Sequence, residues 1–336
     1  MITANRRRAQ PPARNWQQLW REAVTDPLEL LSLLGLEHLA GELLPVRDTG
    51  FALRVPRGFV ARMRPGDPAD PLLRQVLPLA AELEVTPGYT VDAVGDLAAR
   101  SAHGVLQKYA GRALLIATGS CAVNCRYCFR RYFPYAEETA AASHWREAIA
   151  AVAADSRIDE LILSGGDPLS LSNAKLAQLG QALRALPHVT RLRIHTRLPV
   201  VLPQRVDEEL AAWLAALPLQ KVVVLHANHA NEFDAEVDAA CARLREAGCT
   251  LLNQAVLLRG VNDDAVVLAA LSQRGFAAGV LPYYLHQLDR VLGAAHFEVD
   301  DTRATALIEA LRARLPGYLV PRLVREIAGE KSKTPV

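Results

Sequence analysis

The chain has 336 residues, 51% of them apolar, enough to bury the core of one large domain or two modest ones. Its 38 lysines and arginines stand against 36 acidic residues, and a net charge of +2 argues against a nucleic-acid-binding face. No uninterrupted apolar run of about 18 residues occurs, which excludes a membrane-spanning helix, and the start MITANRRRAQPPARNW lacks the apolar stretch of a secretory signal.

Five cysteines are few and unevenly placed: three fall between residues 121 and 128, while Cys241 and Cys249 stand apart. With no span and no secretory signal, a reducing, cytoplasmic compartment is expected, and an odd cysteine total in such a chain argues against a disulfide framework. Arg6, Arg7 and Arg8 read as a solvated arm, with an acidic partner as the other reading.

In chain order, the first stretch predicts helices and connectors. Asp26 before Pro27 is an N-cap followed by the residue favoured at the first helical position, and LELLSLLGL continues as an apolar helix. Proline and glycine are dense from Pro56 to Pro87, which breaks that stretch up. Residues 1–105 are thus expected to form an N-terminal helical extension. From Arg112 short apolar runs alternate with amphipathic helical periods. The runs are 113–118, 160–166, 190–196, 221–227, 250–256 and 279–285, separated by stretches such as HWREAIAAVAAD, NAKLAQLGQALRAL and FDAEVDAACARLREAG. Six β/α units with right-handed crossovers predict a parallel α/β sheet. Eight would close a barrel, so six predict an open, three-quarter (βα)6 barrel over 106–290. Chemistry on such a sheet belongs at the C-terminal strand ends. A last helix, DTRATALIEALRARLP, and a short tail occupy 291–336.

The segment GSCAVNCRYCFRRYFPY begins just after the first run, on that rim. Closely spaced thiolates at Cys121, Cys125 and Cys128 are soft ligands suited to zinc or to an iron–sulfur cluster. Structural zinc takes four ligands and would draw one from afar, such as a histidine. A [4Fe–4S] cube on three thiolates leaves one iron open to a small molecule. Cys241 and Cys249 read as small buried apolar residues. Gly165-Gly166-Asp167-Pro168 closes the second run; Asp167 reads as a cap with Pro168 starting a helix, and the glycines let backbone approach a ligand.

Cys-x3-Cys-x2-Cys after the first strand of a β/α repeat resembles the radical S-adenosylmethionine (SAM) superfamily. That resemblance implies a [4Fe–4S] cluster on Cys121, Cys125 and Cys128, with SAM on the fourth iron. It implies Tyr127 near the adenine, and Gly165, Gly166 and Asp167 at SAM's amino group, where the superfamily has Gly-Gly-Glu. The cluster would supply one electron to break the sulfonium and give a 5′-deoxyadenosyl radical. CRYCFRRYF, LSGGDPL, RLRIHTRLPVVLPQR, HANHANE, LLNQAVLLRGVND, PYYLHQLD and KTPV narrow the resemblance to the lysine 2,3-aminomutase family, over about 100–336. FALRVPRGF and DPLLRQVLP resemble its shorter bacterial subgroup, which supplies β-lysine for elongation factor P. Longer members continue into a zinc-binding, cysteine-rich tail; this chain stops at Val336, as expected of the short type.

The family resemblance also implies pyridoxal 5′-phosphate (PLP), bonded through a lysine in KTPV, here Lys333 rather than Lys331. Lys108, Tyr109 and Arg112 match a PLP-contacting segment, and His226 and Gln254 match SAM-contacting positions. Arg130 matches the arginine that takes the substrate carboxylate. Asp289 matches an aspartate that takes its far ammonium, and Glu326 stands where the long enzymes carry a second aspartate, an extra methylene expected to reshape the pocket.

The expected activity is isomerisation of L-lysine to β-lysine, fed by a low-potential electron donor and linked to elongation factor P and its β-lysine ligase, with no nucleic-acid or membrane partner. A 2,3-aminomutase for glutamate or arginine is the enzymatic alternative, against which two acids in the pocket weigh for glutamate. A non-catalytic iron–sulfur or zinc-binding protein is the other.

Overall fold

The computed structural model describes residues 15–45, 50–143 and 145–336, so the arginine arm at 6–8 lies outside them. A short hairpin, β1 (Arg100–Ala102) and β2 (Val105–Leu106), runs antiparallel into the sheet. Its turn needs Gly104, which sits at φ +71° where a Cβ would meet the backbone nitrogen of Ala140 at 2.6 Å.

The six expected runs form β3 (Arg112–Thr118), β4 (Glu160–Gly165), β5 (Arg191–Thr196), β6 (Gln220–Leu225), β7 (Cys249–Val256) and β8 (Leu281–His286). They pair in parallel in chain order. Two further strands follow: β9 (Arg322–Arg325) is parallel to β8, and β10 (Thr334–Pro335) folds back antiparallel on β9. The sheet runs from β1 to β10 without closing, an open barrel with one more parallel strand than the repeat predicts.

The crossover helices are anchored at their starts. Ser172, Asp207, Asp234, Asp264 and Asp300 each accept a backbone N–H of the following turn, a cap of about 1 kcal/mol. Asn173–Leu183 buries Leu176, Leu179, Gly180 and Leu183, one face of a 3.6-residue period. A Cβ on Gly180 would lie 2.8 Å from Nε1 of Trp213, so glycine lets that helix approach its neighbour Glu208–Ala216.

Asp26 caps the helix Pro27–Leu34 as expected, and Gly35 ends it in the left-handed conformation. Leu30, Leu31, Phe59 and Leu72 of the N-terminal stretch share one core with Leu115, Leu161, Leu192 and Leu251 of the barrel. That stretch therefore packs as a wall of the barrel. Asp167 and Pro168 begin only a 3-10 turn, Pro168–Ser170; the α-helix starts at Asn173. Among the described residues, no helix is long and apolar enough to cross a membrane.

Candidate active site

All the residues singled out for cofactors and substrate line one cavity of about 460 Å³ at the C-terminal end of the strands. The loop after β3 brings Cys121, Cys125 and Cys128 to one wall of it. Glu82, from the N-terminal wall, fixes this loop. It accepts from Nε and Nη2 of Arg126 at 2.7 and 2.5 Å and from Nη2 of Arg131 at 2.7 Å. Both arginines are buried, so the paired geometry holds them without competition from water.

Burial pushes the Cys121 thiol well above its ordinary range, and the neighbouring Cys128, Asp167 and Cys125 push it further. Cys128 is pushed up to about 11 by burial and then by Cys125. Three thiolates that repel one another in a low-dielectric pocket need a cationic centre to share. The donor set therefore fits an iron–sulfur cluster. Among the described residues, no three His, Cys, Asp or Glu side chains are grouped around a point that one metal ion would fill. Cys241 and Cys249 are buried in the main core, as small apolar residues.

The loop after β4 closes against the cysteine loop. A Cβ on Gly166 would lie 2.6 Å from the carbonyl oxygen of Ser120, and Gly165 has φ +114°. The carboxylate of Asp167 is fully engaged by its own chain. It accepts from Oγ1 of Thr196 at 2.7 Å and from the backbone N–H groups of Leu169, Arg197 and Leu198 at 3.1, 2.7 and 3.0 Å. Asp167 thus joins the end of β4 to the end of β5.

From Arg130 onward, cations and carboxylates alternate along the cavity lining. Arg130 donates through Nε to Asp96 at 2.6 Å and through Nη1 to Ser164 at 2.8 Å. Asp96 also faces Nζ of Lys108 at 2.7 Å, and Lys108 lies 3.4 Å from Glu326. Glu326, on the loop after β9, accepts from the hydroxyl of Tyr109 at 2.9 Å and is ion-paired with Lys333. Burial pushes the Glu326 carboxyl up, but Lys333, Lys108 and Tyr109 together hold it below its ordinary value. The carboxylate of Asp289 faces this group without a hydrogen bond from the described residues, and burial pushes it up to about 6. Arg112 stacks over Tyr109 at 4.9 Å and, among the described residues, has no acidic partner. Lys331 is exposed and lies outside the cavity.

Sequence reasoning assigned no role to Asp96, His195, Arg197 or His286, which also line the cavity. His195, His226 and His286 each have a buried Nε2 without a partner among the described residues. Burial first, and the positive charge of Lys333 among the further causes, pushes all three down, His226 to about 4, so all are neutral. Gln254 lines the same cavity from β7. Arg197 and His195 sit in RLRIHTRLPVVLPQR and His286 in PYYLHQLD, so their segments were visible although their functions were not.

Residues 115–271 match the model of the radical SAM superfamily. The chain is 50% identical to an Escherichia coli (strain K12) protein named L-lysine 2,3-aminomutase, over 97% of this chain and 95% of that one. It is 46% identical to the Haemophilus influenzae protein of the same name, over 95% of each chain. A Buchnera aphidicola protein, also so named, is 40% identical over 95% of this chain and 94% of its own.

Proposed function

The chain belongs to the L-lysine 2,3-aminomutases of the radical SAM superfamily, a family of isomerases, and from that membership we propose that it converts free L-lysine to β-lysine by moving the amino group from C2 to C3. The observation that carries this reading is the position of Lys333. Strand β10 returns the tail to the barrel, and Lys333 meets Glu326 in the cavity lined by the three thiols.

Cys121, Cys125 and Cys128 hold the [4Fe–4S] cluster. Tyr127, His226, Gln254 and the Gly165–Gly166 backbone border SAM. Since Asp167 is already saturated, its part there is to hold the two glycines in place. Lys333 bonds PLP, and Tyr109, Lys108 and Arg112 offer its polar groups a donor and two cations. With these groups bound, the cluster and SAM supply an abstracting radical and PLP supplies a carbonyl and a π system for nitrogen migration.

The chain's own residues set the rest. Arg130, braced by Asp96 and Ser164, presents its remaining nitrogen, Nη2, to the substrate carboxylate. Asp289 and Glu326 take the far ammonium. Glu326 is also the ion-pair partner of Lys333, which ties the ammonium site to the lysine beside it. Neutral His195, His226 and His286 add no competing positive charge.

We place the product as supply for the ligase that modifies elongation factor P, in the cytoplasm, with a low-potential protein as the one-electron donor. The segments FALRVPRGF and DPLLRQVLP, and relatives of nearly equal length, support that placement. The test is anaerobic turnover of lysine, glutamate and arginine by the reconstituted protein with dithionite. β-Lysine from lysine alone, dependent on both SAM and PLP, is expected. Faster turnover of glutamate or arginine, or turnover without PLP, overturns the reading.

A further inference from the structure

Beside the three thiols, a buried polar group centred on Arg197 has no part in binding the cofactors or the substrate. Arg197, at the end of β5, is 5% exposed, and its guanidinium reaches across to the cysteine loop. Nη1 lies 2.7 Å from Sγ of Cys125 and 2.7 Å from the hydroxyl of Tyr127. Nη2 donates to Glu232 at 2.9 Å and to Oε1 of Gln75 at 2.7 Å. Glu232 is fully buried and is itself held by the backbone N–H of Asn228 at 2.8 Å and by Nε2 of Gln75 at 3.2 Å. The guanidinium of Arg197 lies over the rings of Phe59 and Tyr127, its carbon 5.5 and 5.8 Å from their centres. Glu232, Gln75 and Tyr127 are themselves fixed by hydrogen bonds from Asn228 and Gln75, so the two terminal nitrogens are held in place with Nη1 against the sulfur of Cys125, while Nε has no partner among the described residues.

We propose that Arg197, held by Glu232 against Sγ of Cys125, is a positioning residue that sets the reduction potential of the cluster carried by that cysteine. Reduction adds one electron, from an external one-electron donor, and so makes the cluster more negative. A fixed cation and an N–H donor at a ligating sulfur stabilise that added charge and raise the potential. Glu232, one step further out, opposes the effect while holding the arginine in line. The sulfur's location beside Arg197 is a feature of this chain's own packing, and the inference rests on the cluster reading.

The test is a potentiometric titration of the anaerobically reconstituted protein, followed by the electron paramagnetic resonance of the reduced cluster, with iron and sulfide measured alongside. Arg197→Gln should move the potential to a more negative value. Arg197→Lys, which keeps the charge but not the fork, should fall between Arg197→Gln and the wild type. Glu232→Gln should move it the other way, since the cation then acts unopposed. A purely structural role would change cluster content without this opposite pair of shifts. If Arg197→Gln fails to hold a cluster, the Glu232→Gln shift still decides. Unchanged potentials in the variants that retain the cluster overturn the proposal. Absence of any cluster in the wild type overturns the underlying cluster reading instead.

Discussion

Lys333, on the segment leading into β10, is ion-paired with Glu326, just past β9, inside the open end of the barrel. Two strands of four and two residues therefore do more than extend the sheet: their antiparallel register, with Thr334 opposite Arg325, delivers a lysine to a cavity shared by three thiols. Lys331, two positions earlier, faces solvent. Borohydride reduction of the PLP-loaded protein followed by peptide mapping should place the pyridoxyl mass on Lys333. Lys333→Ala should lose the label and turnover, and Lys331→Ala should keep both. A label on Lys331 would refute the assignment.

Asp289 gives a pH signature. Its carboxyl is pushed up to about 6 by burial, with Lys333 and Lys108 pulling it back and Glu326 pushing it on. Only the ionised form attracts an ammonium, so KM for lysine should fall as pH rises through about 6 and then level off. Asp289→Asn should remove that inflection. It should also weaken kcat/KM for lysine by on the order of 10- to 100-fold, the loss of a charge-assisted contact of roughly 1.5–3 kcal/mol. The stability effect runs the other way. A carboxyl raised in the folded state costs stability as pH rises from its unfolded value through about 6. Asp289→Asn should therefore raise the melting temperature above neutral pH, measured by calorimetry without ligands. An unchanged pH profile in the variant would contradict this role.

Gly166 carries a steric prediction. A Cβ there meets the Ser120 carbonyl at 2.6 Å and the Gly119 carbonyl carbon at 2.8 Å, backbone atoms that cannot swing aside. Gly166→Ala should destabilise the protein by about 1–3 kcal/mol and, by parting the two loops, lower the iron retained after reconstitution. Thermal unfolding and iron analysis of the same sample check both. A variant with unchanged melting and iron would show that the loops do not depend on that contact.

The cysteines divide into two classes with opposite outcomes. Cys125→Ala should lose the broad visible absorbance of an iron–sulfur cluster and all SAM cleavage. Cys241→Ala should keep both and only loosen the core in which that thiol is fully buried. Retention of the chromophore in Cys125→Ala would contradict the ligand assignment.

The parallel strands β3 to β8 were legible because each is a run of six or more residues bounded by turn signals, and the intervening helices carry a clear 3.6-residue period. Strands β1, β2, β9 and β10 were not, since two to four residues hold too little alternation to stand out. The cysteine motif announced itself by spacing. Asp96 did not: it is a buried carboxylate in a stretch broken by proline and glycine, and only its pairing with Arg130 and Lys108 gives it meaning. Arg197 likewise reads as one more basic residue until β5 carries it to Cys125 across 72 positions of sequence.

The central claim is an intramolecular shift of nitrogen between adjacent carbons of lysine. Lysine labelled with nitrogen-15 at the α-amino group, turned over anaerobically with SAM, PLP and dithionite, tests it directly by nuclear magnetic resonance of the product. The account predicts β-lysine with the label bonded to C3 and none lost to unlabelled ammonium in the buffer. Label remaining on C2, or exchanged into solution, would contradict it.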